Sequence, residues 1–394
     1  MRQLSLKYSP LTSVLVFFIL IGWNLNGDAQ TRISDVRSSK VQDVQLPLQT
    51  SSSQKQELLY RGDSTQFFGG ADSSRRLPTV GETVAEIPEG KKGNQSSNEP
   101  IEKYRKKITF KSSIDGSIQE AFTIIPPNIV PDETYLVVSL HSWSSDLNQR
   151  SDLESLVFGR GWCYLFPNFR GPNQHPDACG SKIAQQDILD ALEQTLNQHG
   201  LSSSRVFLTG TSGGGHMTML MAGLYPERWR AACAWVGISD LVAWHQTHRG
   251  KRYGNMIEKS CGGAPDQSPA TEREYHDRSP INFISGASAL PIALFTGIHD
   301  GHRGSVPVRQ SIDAFNVICT HNGDPVVSEL EIQQLSVENG RLNQPREGDE
   351  GYSESLRRKY YLKRSSKDAQ LLIFEGGHEG ISSGTIDWFE KSVE

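Results

Sequence analysis

Ser212 lies in VFLTGTSGGGHMTMLMAGLYP, residues 206–226, where an apolar strand-like run passes through glycines into an apolar helix-like one. Gly210 and Gly214 flank the serine two positions to either side, and Gly215 follows. A sharp strand-to-helix turn leaves no room for bulky side chains beside the serine and lifts its hydroxyl clear of a sheet. The helix behind it supplies free N–H groups and a positive dipole end. A phosphate cradle shares this geometry but needs a Lys followed by Ser or Thr, and none follows these glycines. The residue types therefore point to a nucleophile rather than to an anion cradle or a plain turn.

A serine hydroxyl is a weak nucleophile near neutral pH until a base takes its proton and a third group orients that base. His378, in FEGGHEG after the last strand-like run, is the expected base. Asp300, in FTGIHDGHRGSVPV after the run before it, is the expected acid. Ser212, Asp300, His378 is the order in which a nucleophile elbow is followed by its acid and then its base. Asp240 in VGISDL also follows a strand-like run, but the acid usually follows a later strand than the one next to the elbow, so Asp240 is expected to cap a helix. Together the three would perform acyl transfer, with Ser212 attacking a carbonyl and water releasing the acyl group.

These groups need a scaffold that brings distant positions to one rim. YRKKITFKSS and SIQEAFTIIPP flank Asp115-Gly116, a pair suited to a hairpin, so a sheet should open antiparallel. YLVVSL, CYLFPNF, VFLTG, ACAWVGIS, PIALFTGI and QLLIFEGG then follow as short runs apolar on both faces, which is the pattern of strands covered on both sides. Residues 183–199 place Ile188, Leu189, Leu192 and Leu196 on one helical face before Gly200, and MTMLMAGLY stops at Pro226. Strands alternating with helices predict an α/β fold, a mainly parallel sheet of eight strands with helices on both faces. In such sheets, binding and catalytic groups gather outside the carboxyl ends of the strands. All three candidates lie at such ends.

The 394 residues are 36% hydrophobic, enough for a proper core. A net charge of −5 argues against a protein that gains affinity by neutralising phosphates, so no nucleic-acid partner is expected. Arg2 and Lys7, the apolar run 11–23 and the small residues at Gly27-Asp28-Ala29 read as a signal peptide over residues 1–29, cleaved after Ala29. The run falls short of the ~20 residues that span a bilayer, so no stable membrane span is expected and the protein should be exported, to the periplasm or the extracellular space. Residues 30–100, rich in Ser, Gln, Gly and charge, read as a flexible linker, leaving residues 101–394 as the catalytic domain.

His245 and His248 stand one helical turn apart, and His299 and His302 bracket Asp300. A metal site usually needs at least three protein ligands, so neither metal nor cofactor is expected. His141, His299, His302 and Arg303 are instead expected to line the substrate cleft. Trp143 and Trp162 read as buried, with sugar or acyl contact as the other reading. The five cysteines allow one or two bridges in an oxidising compartment and leave at least one thiol unpaired within the monomer. Cys163 and Cys233 fall in strand-like runs, and Cys179 and Cys261 are the loop candidates.

From Ile101 onward the chain resembles the α/β-hydrolase fold, and within it the catalytic domain of the prolyl-oligopeptidase family of serine peptidases. The matching stretches are PNFRG at 167–171, Asp187 and Asp190 in QQDILDAL, GTSGGG, WRAACAWVGISDL, GIHD with Val306-Pro307 behind it, and GGH at 376–378. The resemblance implies Ser212 as nucleophile, Asp300 as acid and His378 as base. It also implies an oxyanion hole made by the N–H of Gly213 and an N–H from Ser142 or Trp143. Two departures stand out. The family usually carries a β-propeller before this domain, which residues 30–100 are not expected to build, and LHSWSSD stands where relatives often show His-Gly and a proline. The chain is also similar to esterases that remove acetyl or feruloyl groups from plant polysaccharides, so peptide, small-molecule and polysaccharide acyl substrates all remain. A secreted binding protein that keeps the fold without its chemistry is the alternative outside catalysis. Residues 329–367, long and polar, read as a lid or surface insertion.

Overall fold

The computed structural model describes residues 101–394. The expected signal peptide of residues 1–29 and linker of residues 30–100 lie outside the described residues. In chain order the elements are β1 (Arg105–Lys111), β2 (Ile118–Ile124), β3 (Leu136–Leu140), α1 (Leu153–Gly159), β4 (Cys163–Pro167), α2 (Lys182–His199), β5 (Val206–Thr211) and α3 (Gly213–Leu224). There follow β6 (Ala231–Trp235), α4 (Leu241–His248), α5 (Arg252–Cys261), α6 (Pro269–Arg278), β7 (Ile292–Gly297) and α7 (Arg309–Asn322). The chain ends with α8 (Glu329–Leu335), β8 (Gly351–Ser353), β9 (Arg358–Ser366), β10 (Ala369–Phe374) and α9 (Ser382–Lys391).

One sheet of ten strands runs in the order β1-β2-β4-β3-β5-β6-β7-β10-β9-β8. From β4 across to β10 the pairs are parallel, while the hairpin β1-β2 and the edge β10-β9-β8 are antiparallel. The eight expected strands are all present. The two additional ones, β8 and β9, come from residues 329–367 and extend the sheet edge, with α8 ahead of them in the same segment. They escape sequence reading because RKYYLKRSS is polar and only partly covered, as edge strands are.

Pleating sends alternate residues of the central strands to opposite layers. Val138 and Leu208 join a core with α2, α3 and α7, while Val137 and Phe207 join one with α1 and α9. Helices therefore cover both faces. A third cluster beneath α4, α5 and α6 holds Trp143, Trp244, Tyr275 and Val306. Local signals set the helix ends. Ser181 caps α2 by accepting from the Ala184 N–H at 3.2 Å, and Gly200 closes it in the left-handed region at φ 63°. Asp240 caps α4, accepting from the N–H groups of Val242 at 2.8 Å and Ala243 at 3.0 Å.

Arg170 ties the hairpin to α2, donating to the fully buried Asp187 at 2.5 Å and to Asp115 at 2.8 Å. Nearby, the Asp190 carboxylate accepts from the Ser113 N–H at 2.7 Å. Removing one partner of a buried charge pair typically costs about 3–5 kcal/mol, which accounts for a structural and not a chemical use of PNFRG and QQDILDAL.

Candidate active site

Ser212 terminates β5 and starts α3 in a backbone conformation that non-glycine residues rarely adopt, φ 62° and ψ −115°. The elbow is held by its own N–H donating to Trp235 O on β6 at 2.9 Å. The turn is so tight that a Cβ on Gly210 would lie 2.5 Å from the Gly214 carbonyl oxygen. That close approach requires glycine at 210, and a Cβ on Gly214 would lie 2.1 Å from the Leu140 carbonyl oxygen, which requires glycine there.

The structure brings Ser212, His378 and Asp300 together although 166 and 78 residues separate the two hydrogen-bonded pairs. Ser212 Oγ lies 2.8 Å from His378 Nε2, and His378 Nδ1 lies 2.7 Å from Asp300 Oδ2. The remaining Asp300 oxygen, Oδ1, accepts from the N–H groups of Gly301 at 2.9 Å and Val306 at 3.0 Å. The Asp300 side chain is fully buried while that of His378 is 25% exposed, so the carboxylate is locked from behind and the imidazole faces the solvent side. In this geometry the Ser212 hydroxyl donates to His378, whose other nitrogen donates to Asp300. The arrangement can draw a proton from the serine and return it to a leaving group.

Two backbone donors stand beside the elbow. Among the described residues neither the Gly213 N–H, in the first turn of α3, nor the Trp143 N–H makes a hydrogen bond. They are close neighbours, since a Cβ on Gly213 would lie 2.3 Å from Trp143 N. Ser142 is not the second donor: its N–H is committed to Gln149 Oε1 at 2.8 Å and its hydroxyl donates to Thr211 O at 3.1 Å. Gln149 thereby fixes the loop that presents Trp143, a role that nothing in its sequence setting signals. Gly213→Ala forces a methyl group into the Trp143 backbone and is expected to lower kcat about 10²- to 10³-fold on a p-nitrophenyl ester, the effect of losing an oxyanion donor.

Each residue expected to line the cleft has a protein partner. His141 is fully buried, stacked on Phe169 at 3.8 Å, with its ring nitrogens 3.0 Å from Ser142 O and 2.9 Å from Asn168 O. Burial pushes its pKa down, so the ring is neutral and holds the backbone of the loop that carries Ser142 and Trp143. His299 turns to Glu375, with Nε2 and Oε1 2.5 Å apart. His302 lies 3.0 Å from Ser336 O through Nε2, and exposed Arg303 pairs with Glu338 at 3.7 Å. Both reach toward the end of α8.

His245 and His248 diverge as well. The first pairs with Glu258 at 2.7 Å, and the second lies 2.7 Å from Ser305 O, which also accepts from Trp244 Nε1 at 2.7 Å. Trp143 is buried, edge-on to Trp244 at 4.6 Å, and half-buried Trp162 packs on Tyr135 and Phe207 at the start of β4. All five cysteines are buried free thiols, with Cys261 at the end of α5 and not in a loop. Among the described residues no helix is long and apolar enough to cross a membrane.

A serine elbow facing a histidine and a carboxylate, at the carboxyl rim of a mainly parallel sheet covered on both faces, is the arrangement of the α/β-hydrolase fold and is suited to acyl transfer. Residues 150–329 match the prolyl oligopeptidase family, and it is this family that the chain resembles. It is 26% identical over 249 residues to the acylamino-acid-releasing enzyme of Homo sapiens, covering 56% of this chain and 32% of that enzyme. It is 37% identical over 246 residues to feruloyl esterase B of Talaromyces stipitatus, covering 59% of this chain and 62% of the esterase. Among solved structures it is similar to Pyrococcus horikoshii acylaminoacyl peptidase, with a TM-score of 0.47, 19% identity and coverage of 56% of this chain and 36% of that one. The chain thus spans about a third of the length of the acylamino-acid-releasing enzymes it matches.

Proposed function

We propose that the protein is an exported serine peptidase that works through an acyl-enzyme, with Ser212 as nucleophile, His378 as general base and then acid, and Asp300 as its orienting acid. The observation that carries this reading is the continuous chain of short contacts from the Ser212 hydroxyl through His378 to a buried carboxylate. Ser212 attacks the substrate carbonyl as His378 takes its proton, and the Gly213 and Trp143 N–H groups hold the oxyanion. His378 returns the proton to the leaving amine. Water then attacks the acyl-enzyme with His378 again as base, releasing the acid and restoring Ser212. The apolar run at residues 11–23 supports export.

The second reading is a carboxylic-ester hydrolase acting on acylated carbohydrate. It is favoured by the similarity to feruloyl esterase B, which covers more of its relative than the peptidase matches do. Both readings share one mechanism and differ in the leaving group. Hydrolysis of short acylated peptides, p-nitrophenyl acetate, methyl ferulate and acetylated xylan by the purified protein separates them. A kcat/KM on a peptide at least ten times that on methyl ferulate and acetylated xylan supports the peptidase, and the reverse ratio supports the esterase. If folded protein leaves all four untouched, both fail in favour of a binding protein on this fold.

A further inference from the structure

The loops that carry Asp300 and His378 emerge side by side from β7 and β10, and their backbones are joined. The N–H of Ile298 donates to Phe374 O at 2.9 Å and that of His299 to Gly376 O at 3.0 Å. Directly beside this seam stands Glu375, three residues before His378. Its Oε1 meets His299 Nε2 at 2.5 Å, while its Oε2 accepts from the Tyr361 hydroxyl at 2.5 Å and lies 3.4 Å from the Arg341 guanidinium. Arg341 in turn lies over the Tyr361 ring, 3.3 Å from its centre. Tyr361 lies on β9 and Arg341 on the loop before β8, both within residues 329–367, the segment with no part in the mechanism above. The same segment reaches the two loops at three further points: Ser336 O to His302, Glu338 to Arg303, and Arg358 to Glu379 at 3.6 Å.

We propose that residues 329–367 form a brace that acts through Glu375, a positioning residue on the base loop: it locks the acid loop and the base loop into one unit and so sets the Asp300–His378–Ser212 alignment. Resting on the triad assignment made above, the inference concerns geometry and not chemistry, since Glu375 touches no reacting atom. Charge and direction agree with it. The hydroxyl of Tyr361 first, against the opposing effect of burial and with help from His299 and Arg341, holds the Glu375 carboxyl below the usual carboxylate range, so it is ionised and offers both oxygens as acceptors. Neither loop can shift alone without breaking a contact to this carboxylate. Misplacement by about 1 Å at a site of this kind can lower a rate about 10²-fold.

Glu375→Ala, Glu375→Gln and Tyr361→Phe test it, each assayed for kcat and KM on p-nitrophenyl acetate and for thermal midpoint. The brace requires Glu375→Ala to lower kcat roughly 10- to 100-fold with KM changed less than about twofold. Glu375→Gln, which keeps an acceptor oxygen toward Tyr361, should recover most of that loss, and Tyr361→Phe should lower kcat by a few-fold. If Glu375→Ala lowers only the thermal midpoint and leaves kcat within twofold, or if Gln fails to rescue Ala, the inference is overturned. Should the alanine variant not fold, an unchanged kcat in folded Tyr361→Phe overturns it equally. Full turnover by Ser212→Ala would instead sink the triad assignment, which keeps the two failures distinct.

Discussion

Ser212→Ala is expected to lower kcat by at least about 10⁴-fold on any substrate the protein turns over, with the unfolding free energy changed by no more than about 1 kcal/mol. The loss is large because the hydroxyl is the atom that would bond to the acyl group, and among the described residues it is the hydrogen-bond partner of His378 Nε2. The fold is spared for local reasons. The elbow is held by backbone contacts, chiefly the Ser212 N–H to Trp235 O at 2.9 Å, and alanine keeps them. Loss of Oγ leaves His378 Nε2 without its partner, but that side chain is 25% exposed and water can replace the bond. Initial rates and urea unfolding of the two proteins check both halves of the expectation.

Asp300→Asn should lower kcat by roughly 10⁴-fold with little change in KM. The two oxygens of Asp300 have different tasks. Oδ1 accepts from two backbone N–H groups, those of Gly301 and Val306, so in the variant the amide oxygen must stay on that side. The amide NH₂ then faces His378 Nδ1, which has to become an acceptor. The single ring proton moves to Nε2, the nitrogen 2.8 Å from Ser212, and the base can no longer take the hydroxyl proton. Size and burial are unchanged, so the variant should fold. Rates of the purified variant on p-nitrophenyl acetate, with circular dichroism as control, provide the check.

The features legible in the sequence were those with local causes. Doubly apolar runs such as YLVVSL and VFLTG mark central strands because helices cover both sides, and Gly200 and Ser181 mark the ends of α2 through backbone and cap chemistry. Ser212, Asp300 and His378 stood out because each follows a strand, and strand ends share one rim. What escaped was set by tertiary partners. His141 and His299 look the same in sequence as residues lining a cleft, yet one is stacked under Phe169 and the other bound to Glu375. The choice between Ser142 and Trp143 as donor turned on Gln149, seven residues away, whose amide takes the Ser142 N–H. β9 was missed because one side of it is left uncovered and its residues are correspondingly polar.

The most direct measurement is the mass map of the folded protein after reaction with a fluorophosphonate, which bonds preferentially to activated serine hydroxyls. The account predicts a single adduct, on the peptide containing Ser212, abolished in Ser212→Ala and slowed strongly in Asp300→Asn. Absence of an adduct on folded protein, or an adduct on a different serine, would contradict it.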